Sequence, residues 1–257
     1  MALCEMHFWS SSLEKQTAAM MIIPEGKPGP WPVLYLLHGL SDDHTGWTRR
    51  TSLERYLDGS PLMVVMPDGG RDFYTDAVEL PRPRTESLIT QDLIGLVDNT
   101  FPTVKTRAGR AIAGLSMGGY GAFKIGLHRP DLFCAAISHS GAVHFGSMPF
   151  DDPSDTRHAE FRPIMGAYPK GGPNDVHYLA ANIDKSQLPA LRFDCGVDDF
   201  LIEQNRELHT YFETLGLPHE YEEHPGAHDW GYWDTHIQDT LKFLGAIPGF
   251  LPIHQSI

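Results

Sequence analysis

Gly114-Leu115-Ser116-Met117-Gly118 is the segment of this chain best suited to covalent chemistry. It reads G-x-S-x-G, follows the short apolar run Ala111–Leu115, and leads into the helix-compatible stretch Tyr120–His128. In that strand–turn–helix setting the turn lifts a serine hydroxyl off the sheet into an open site. Its neighbours come so close together that only small residues fit, and Gly114, Gly118 and Gly119 supply the room.

A serine hydroxyl is a weak nucleophile at neutral pH and needs a base to take its proton. The chain has 14 histidines, so position must select among them. His228 stands in E-E-H-P-G-A-H-D-W, past the last candidate strand and before the last helix. His224 is nearer the strand and precedes Pro225, which reads as structural; His224 and His236 are the alternative bases. The acid that orients the imidazole is sought at Gly196-Val197-Asp198-Asp199, giving the chain order Ser, Asp, His of α/β-hydrolases. A spacing of three residues from the glycine favours Asp199, with Asp198 as the alternative or as a solvated or capping acid.

Acyl transfer also needs donors aimed at an oxyanion. One is the backbone N–H of Met117; the other is that of Leu40, in His38-Gly39-Leu40 after the run Val33–Leu37. The competing reading of that loop is an ordinary strand-end turn, and His38 itself reads as structural. Trp47, Tyr120 and Trp230 lie close in sequence to these loops and are candidates for the substrate pocket, against the plainer reading of core packing. Asp42-Asp43 and Asp151-Asp152 lack a calcium-ligand pattern and read as solvated loop acids. No metal and no cofactor is expected.

These residues can meet only if the right elements carry them. Strand-like runs recur at Met20–Ile23, Val33–Leu37, Leu62–Met66, Ala111–Leu115, Cys134–Ser138, Ala190–Cys195 and Glu220–Glu223. Several are apolar at consecutive positions, as strands buried on both faces are. Helix-compatible segments at Thr51–Leu57, Ser87–Thr100, Tyr120–His128, Ile202–Leu215 and Tyr232–Leu244 alternate with them. The expectation is an α/β fold: a mostly parallel sheet with helices on both faces, and an antiparallel edge from the part before Ile23. Loops at the carboxyl ends of parallel strands gather along one edge.

Residues 1–257 read as one domain. Only His144–Asp184 breaks the rhythm, with Pro149, Pro153, Pro163, Pro169, Pro173 and Gly171-Gly172. So long a connection is expected to be functional, here an insertion forming a partial cap over the site; the plainer reading is a surface excursion.

Composition narrows the class of partner. Hydrophobic residues make up 41% and charged residues 21%, ordinary globular values. A net charge of −13 without a basic cluster argues against nucleic acid or an anionic membrane as the main partner. Cys4, Cys134 and Cys195 form neither a disulfide framework nor a metal-ligand spacing. Met1–Gln16 lacks the basic-then-apolar pattern of a signal peptide, and no run approaches the roughly 20 apolar residues of a membrane span. A cytoplasmic location is the default expectation.

Taken together, His38-Gly39-Leu40 with Trp47, the turn Met66-Pro67-Asp68, Gly114–Gly121, Gly196–Asp199 and Gly226-Ala227-His228 resemble one pattern. It is that of the esterase D-like branch of the α/β-hydrolases, nearest the small tributyrin esterases, over about residues 18 to 244. Acetylxylan and feruloyl esterases, S-formylglutathione hydrolases and antigen 85 mycolyltransferases belong to the same branch.

The resemblance implies a metal-free serine carboxylesterase with a Ser116–His228–Asp199 triad and a two-amide oxyanion hole at Leu40 and Met117. It further implies short acyl esters as substrates, acetyl to butyryl, with acetylated sugars or hydroxycinnamate esters in reach, and it leaves a homo-oligomer open. S-formylglutathione hydrolysis and acyl transfer are the alternatives within catalysis. Ser41-Asp42 and Tyr120 depart from the S-formylglutathione hydrolase pattern. A non-catalytic hydrolase-fold binding protein is the reading from another class.

Overall fold

Val33, Tyr35 and Leu37 point into one apolar core while Leu34 and Leu36 point into another. That alternation explains the unbroken apolar run: a strand covered on both faces has no position that benefits from a polar side chain. The computed structural model describes residues 1–251. One eight-stranded sheet is built from β1 (Ala2–Ser10), β2 (Lys15–Ile23), β3 (Val33–Leu37), β4 (Met63–Pro67), β5 (Arg110–Leu115), β6 (Ala135–His139), β7 (Ala190–Gly196) and β8 (His219–His224). Their order across the sheet is β1-β2-β4-β3-β5-β6-β7-β8. Strands β3 to β8 run parallel, and β2 is antiparallel to both β1 and β4, forming the expected antiparallel edge.

Helices cover both faces. They are α1 (Gly46–Arg50), α2 (Leu53–Tyr56), α3 (Thr85–Ser87), α4 (Ile94–Thr100), α5 (Met117–His128), α6 (Thr156–Met165), α7 (Val176–Asn182), α8 (Ile202–Leu215) and α9 (Trp230–Ala246), with a π-helical stretch, Leu88–Leu93, joining α3 to α4. Phe123 and Ile125 of α5 and Leu208 and Phe212 of α8 pack into one core. Trp233, Ile237, Leu241 and Leu244 of α9 pack into the other. The fold is therefore that of an α/β-hydrolase.

Register sets up the site. Leu37 lies opposite Gly114, Leu115 opposite His139, His139 opposite Asp194, and Gly196 opposite His224, so the strand ends of β3, β5 and β6 lie close together while β7 and β8 run a little further. The loops that leave them emerge side by side at one edge.

The stretch 144–184 contains α6 and α7. Asp155 and Asp175 cap these helices by accepting the N–H of Arg157 and His177. Pro163 inside α6 and the surrounding prolines hid that helix from periodicity. The stretch is fastened by the Tyr120 hydroxyl, which donates to Asn174 O at 2.6 Å, and by the Val78 N–H, which donates to Ile164 O at 3.0 Å. No helix of the described residues is long and apolar enough to cross a membrane.

Candidate active site

Ser116 adopts φ +53° and ψ −114°, a strained conformation for a residue with a side chain. Close packing forces it. A Cβ on Gly114 would press on the backbone of Gly118, and one on Gly118 would press on the carbonyls of Leu37 and His38. Hydrogen bonds fix the turn from both sides: Ser116 N–H donates to His139 O at 2.9 Å, and Ser116 O accepts from Ala142 N–H at 3.1 Å. The hydroxyl is left facing a cavity of about 410 Å³.

The structure brings His228 and Asp199 to this serine. His228 Nε2 lies 3.0 Å from Ser116 Oγ, and its Nδ1 lies 2.8 Å from Asp199 Oδ2. The second oxygen of Asp199 accepts the N–H of Leu201 at 2.8 Å. Burial opposes a charge on Asp199, but the bonds from His228 and Leu201 outweigh it and hold the carboxyl below its usual range. An ionised carboxylate only accepts hydrogen bonds, so Nδ1 must carry its proton. Nε2 then offers a lone pair to the serine hydroxyl. That is the arrangement a general base needs.

The alternatives from sequence sit elsewhere. Asp198 is exposed, with its N–H on Gly226 O at 3.0 Å. His224 and His236 stack on each other at 4.0 Å, away from the serine hydrogen bond. With Asp239 they form a group whose ligand-type atoms lie within 4.8 Å of one another. The parallel stack keeps the two imidazoles from aiming at one point, and Asp239 is engaged by His236 at 2.9 Å and Lys242 at 3.0 Å. The loop acids behave as local turn formers: Asp43 accepts from Thr45, and Asp152 from Ser154.

Leu40 and Met117 both line the serine cavity, and Met117 opens α5, where backbone N–H groups have no partner within the helix. A Cβ built on Gly39 would lie 3.8 Å from that of Ser116, so the His38-Gly39-Leu40 loop runs beside the nucleophile. His38 is buried; its Nε2 accepts the Gly69 N–H at 2.9 Å, and Tyr74 donates to its carbonyl at 3.0 Å. It braces the loop.

The expectation for the pocket aromatics needs correcting. Trp47 is buried, donates to Leu37 O at 3.1 Å, and packs edge-to-face with Trp230, which in turn packs on Trp233. Tyr120 is buried and spends its hydroxyl on Asn174. None of the three is among the residues lining the cavity. Proximity in sequence to a catalytic loop places a large aromatic under the loop more readily than in the opening.

The walls are instead Phe73, Phe145, Phe150, Phe161 and Phe200, which the sequence reading missed. Phe73 takes φ +48°, rare for an aromatic residue, and stacks face to face on Phe145. Phe200 is 76% exposed, with its ring 4.5 Å from that of His228. Its position directly after Asp199 was the one available signal; Phe145, Phe150 and Phe161 come from the proline-rich stretch, whose path the sequence does not give.

Comparison with known proteins agrees with this geometry. A family model described as "Putative esterase" matches residues 10–244. An acetyl esterase from Caldicellulosiruptor saccharolyticus is 29% identical over 266 residues, 96% of this chain and 99% of that protein. The fluorophosphonate-binding serine hydrolase F of Staphylococcus aureus superposes with a TM-score of 0.82 at 30% identity, over 94% of this chain and 97% of that one. An S-formylglutathione hydrolase from Staphylococcus aureus does so at 0.81 and 29%, over 94% and 98%. The chain belongs to this esterase family and is a serine hydrolase acting on carboxylic ester bonds.

Proposed function

We propose that Ser116, His228 and Asp199 are the catalytic triad of a carboxylesterase for short acyl chains, acetyl to butyryl, with acetylated sugars and hydroxycinnamate esters as further substrates. The observation that carries this reading is the unbroken hydrogen-bond chain from Ser116 Oγ through His228 to Asp199, at 3.0 and 2.8 Å. The full-length similarity to an acetyl esterase supports the acyl preference.

In the reaction, His228 Nε2 takes the proton of Ser116 as Oγ attacks the ester carbonyl carbon. The oxyanion that forms is held by the N–H groups of Leu40 and Met117. Collapse breaks the bond to the alkoxide, which leaves with the proton from His228 as the free alcohol. A water molecule then gives a proton to His228, attacks the acyl-serine, and releases the carboxylic acid with Ser116 restored. Asp199 stabilises the imidazolium at each transfer.

Phe73, Phe145 and Phe161 form the acyl side of the pocket, and the stretch 144–184 serves as a partial cap over it. Turnover of p-nitrophenyl acetate, butyrate and octanoate, acetylated xylo-oligosaccharide, methyl ferulate and S-formylglutathione, each beside Ser116→Ala, tests the reading. Losing the nucleophile should cost on the order of a million-fold. Undiminished ester turnover by the variant would refute the triad. The second reading, thioester hydrolysis, is favoured by the similarity to an S-formylglutathione hydrolase, and a strong preference for the thioester would put it first.

A further inference from the structure

Beneath the triad lies a second Asp–His pair that takes no part in the chemistry described above. Asp194 in β7 and His139 at the end of β6 are both fully buried, with His139 Nδ1 3.0 Å from Asp194 Oδ1. The Tyr232 hydroxyl of α9 donates to the same oxygen at 3.0 Å, and Thr240 Oγ1 lies 2.7 Å from His139 Nε2. Arg192, itself buried, stands 3.5 Å from the other carboxylate oxygen. Burial opposes the charge on Asp194, but His139, helped by Arg192 and Tyr232, outweighs it and keeps the carboxyl below its usual range.

Two partners of this carboxylate, His139 and Tyr232, touch different parts of the proposed catalytic machinery. The carbonyl of His139 accepts the N–H of Ser116 at 2.9 Å. Asp194 stands two residues before Gly196, which opens the turn to Asp199, and its own carbonyl accepts the N–H of Ser140 at 2.8 Å. Tyr232 lies over the turn that carries His228: a Cβ on Gly226, which has φ +141°, would meet the Tyr232 ring at 2.7 Å. The N–H of Tyr232 is bound by Asp229, the residue after His228, at 3.0 Å.

We propose that Asp194 is a positioning residue for ester hydrolysis, acting through His139 and Tyr232 to hold the nucleophile, the acid and the base in register. This rests on the assignment of Ser116, Asp199 and His228 given above. Apolar packing of α9 against the sheet tolerates small slides, whereas a buried carboxylate that keeps two partners on one oxygen does not. An isolated carboxylate in this place would be costly to bury, so the network is maintained as a unit. A displacement of about 1 Å at reacting groups can cost a hundredfold in rate, which makes such a brace worth its desolvation.

The test is Tyr232→Phe, which removes one hydroxyl and leaves the ring on Gly226, with Asp194→Asn as the stronger perturbation. Steady-state kinetics on a p-nitrophenyl ester and the rate at which a fluorophosphonate labels Ser116 are measured in both, beside wild type and Ser116→Ala. The expected result for Tyr232→Phe is a fall of roughly tenfold to a hundredfold in kcat and in labelling rate, with KM within about twofold. Asp194→Asn should lose more. If Tyr232→Phe lowers the melting temperature but keeps wild-type kcat and labelling, or if the loss falls on KM alone, Asp194 supports the fold only and the proposal is overturned. Should Asp194→Asn not fold, Tyr232→Phe decides by itself. An inert wild type, or an active Ser116→Ala, strikes down the underlying triad assignment, an outcome distinct from a silent Tyr232→Phe in an active enzyme.

Discussion

Replacing Asp199 by asparagine distinguishes the two neighbouring acids and tests the tautomer argument at once. The two oxygens of Asp199 both accept hydrogen bonds, Oδ1 from Leu201 N–H and Oδ2 from His228 Nδ1. Asparagine offers one acceptor and one donor in the same volume. If its oxygen faces Leu201, the amide group faces Nδ1, which then must be unprotonated. Nε2 carries the proton instead and points it at Ser116, so no base remains. If the oxygen faces His228, the amide group opposes the Leu201 N–H, donor against donor, and the charge that stabilises the imidazolium is gone in either case.

The same exchange in a serine-protease triad costs on the order of ten-thousand-fold in kcat, or about 5 kcal/mol of transition-state stabilisation. A similar loss is expected here because Asp199 is only 2% exposed, leaving water little access to take its place. The assay is kcat on p-nitrophenyl acetate for Asp199→Asn and Asp198→Asn, with circular dichroism to establish folding. Asp198 is exposed and contributes its backbone N–H to Gly226 O, which asparagine keeps, so that variant should stay within about twofold of wild type. A folded Asp199→Asn that keeps a tenth or more of its activity, or a larger loss at Asp198, would falsify the assignment (the tenth being about 1.4 kcal/mol).

Other perturbations follow from the packing around the site. Glu86 is 12% exposed and pairs with Lys124 and His128; burial opposes its charge, but these partners bring its pKa down to about 2 from the usual 4.5. A depressed carboxylate stabilises the fold above its unfolded value and loses that contribution as pH falls toward 2, here about 3 kcal/mol in all. Glu86→Gln should lower stability at pH 7 and flatten the fall between about pH 5 and 2, read from urea unfolding at several pH values; an unchanged slope speaks against the pairing. Gly118→Ala drives a methyl group against the carbonyls of Leu37 and His38, so the melting temperature and esterase activity should both drop; a thermally unshifted, active variant would show that the elbow can relax. Tyr120→Phe removes the bond to Asn174 that fastens the stretch 144–184, at a cost of about 1 kcal/mol. Its main effect should be a raised KM rather than a lowered kcat, and an unaltered KM would mean that the bond does not shape the pocket.

What was legible in the sequence has a common physical character. Ser116, Asp199 and His228 each sit within a few residues of a strand end, on turns whose glycines allow close backbone approach, so local pattern and parallel topology together place them. The inner strands β3 to β6 read as apolar runs because both faces are covered, while the edge strand β8, His219–His224, has no buried position. By contrast β1 alternates between intermediate and exposed positions over most of its length and gave only a hint of an edge. Helix α6 carries a proline and little apolar periodicity, so neither rule for finding helices applied to it. The structure brings Ser116, Asp199 and His228 within hydrogen-bond reach of one another, whereas Trp47, Tyr120 and Trp230 lie outside the cavity lining. Sequence proximity fixes a backbone position but not the direction of a large side chain, and Trp47 and Tyr120 are buried.

This division bears on where substrate choice resides. Ser116, Asp199 and His228, the proposed reacting groups, follow the carboxyl ends of β5, β7 and β8, which the sheet register brings to one edge. Three of the five phenylalanine walls come from the stretch 144–184, which packs Phe161, Ile164, Met165, Val176 and Leu179 into one core and is tied to α5 by the bond from Tyr120 to Asn174. Changes in that stretch can reshape the acyl pocket without moving the triad. A family with one reaction and many esters is the expected result. Phe73, with its strained backbone and its ring stacked on Phe145, stands where the sheet-borne part of the pocket meets the stretch 144–184.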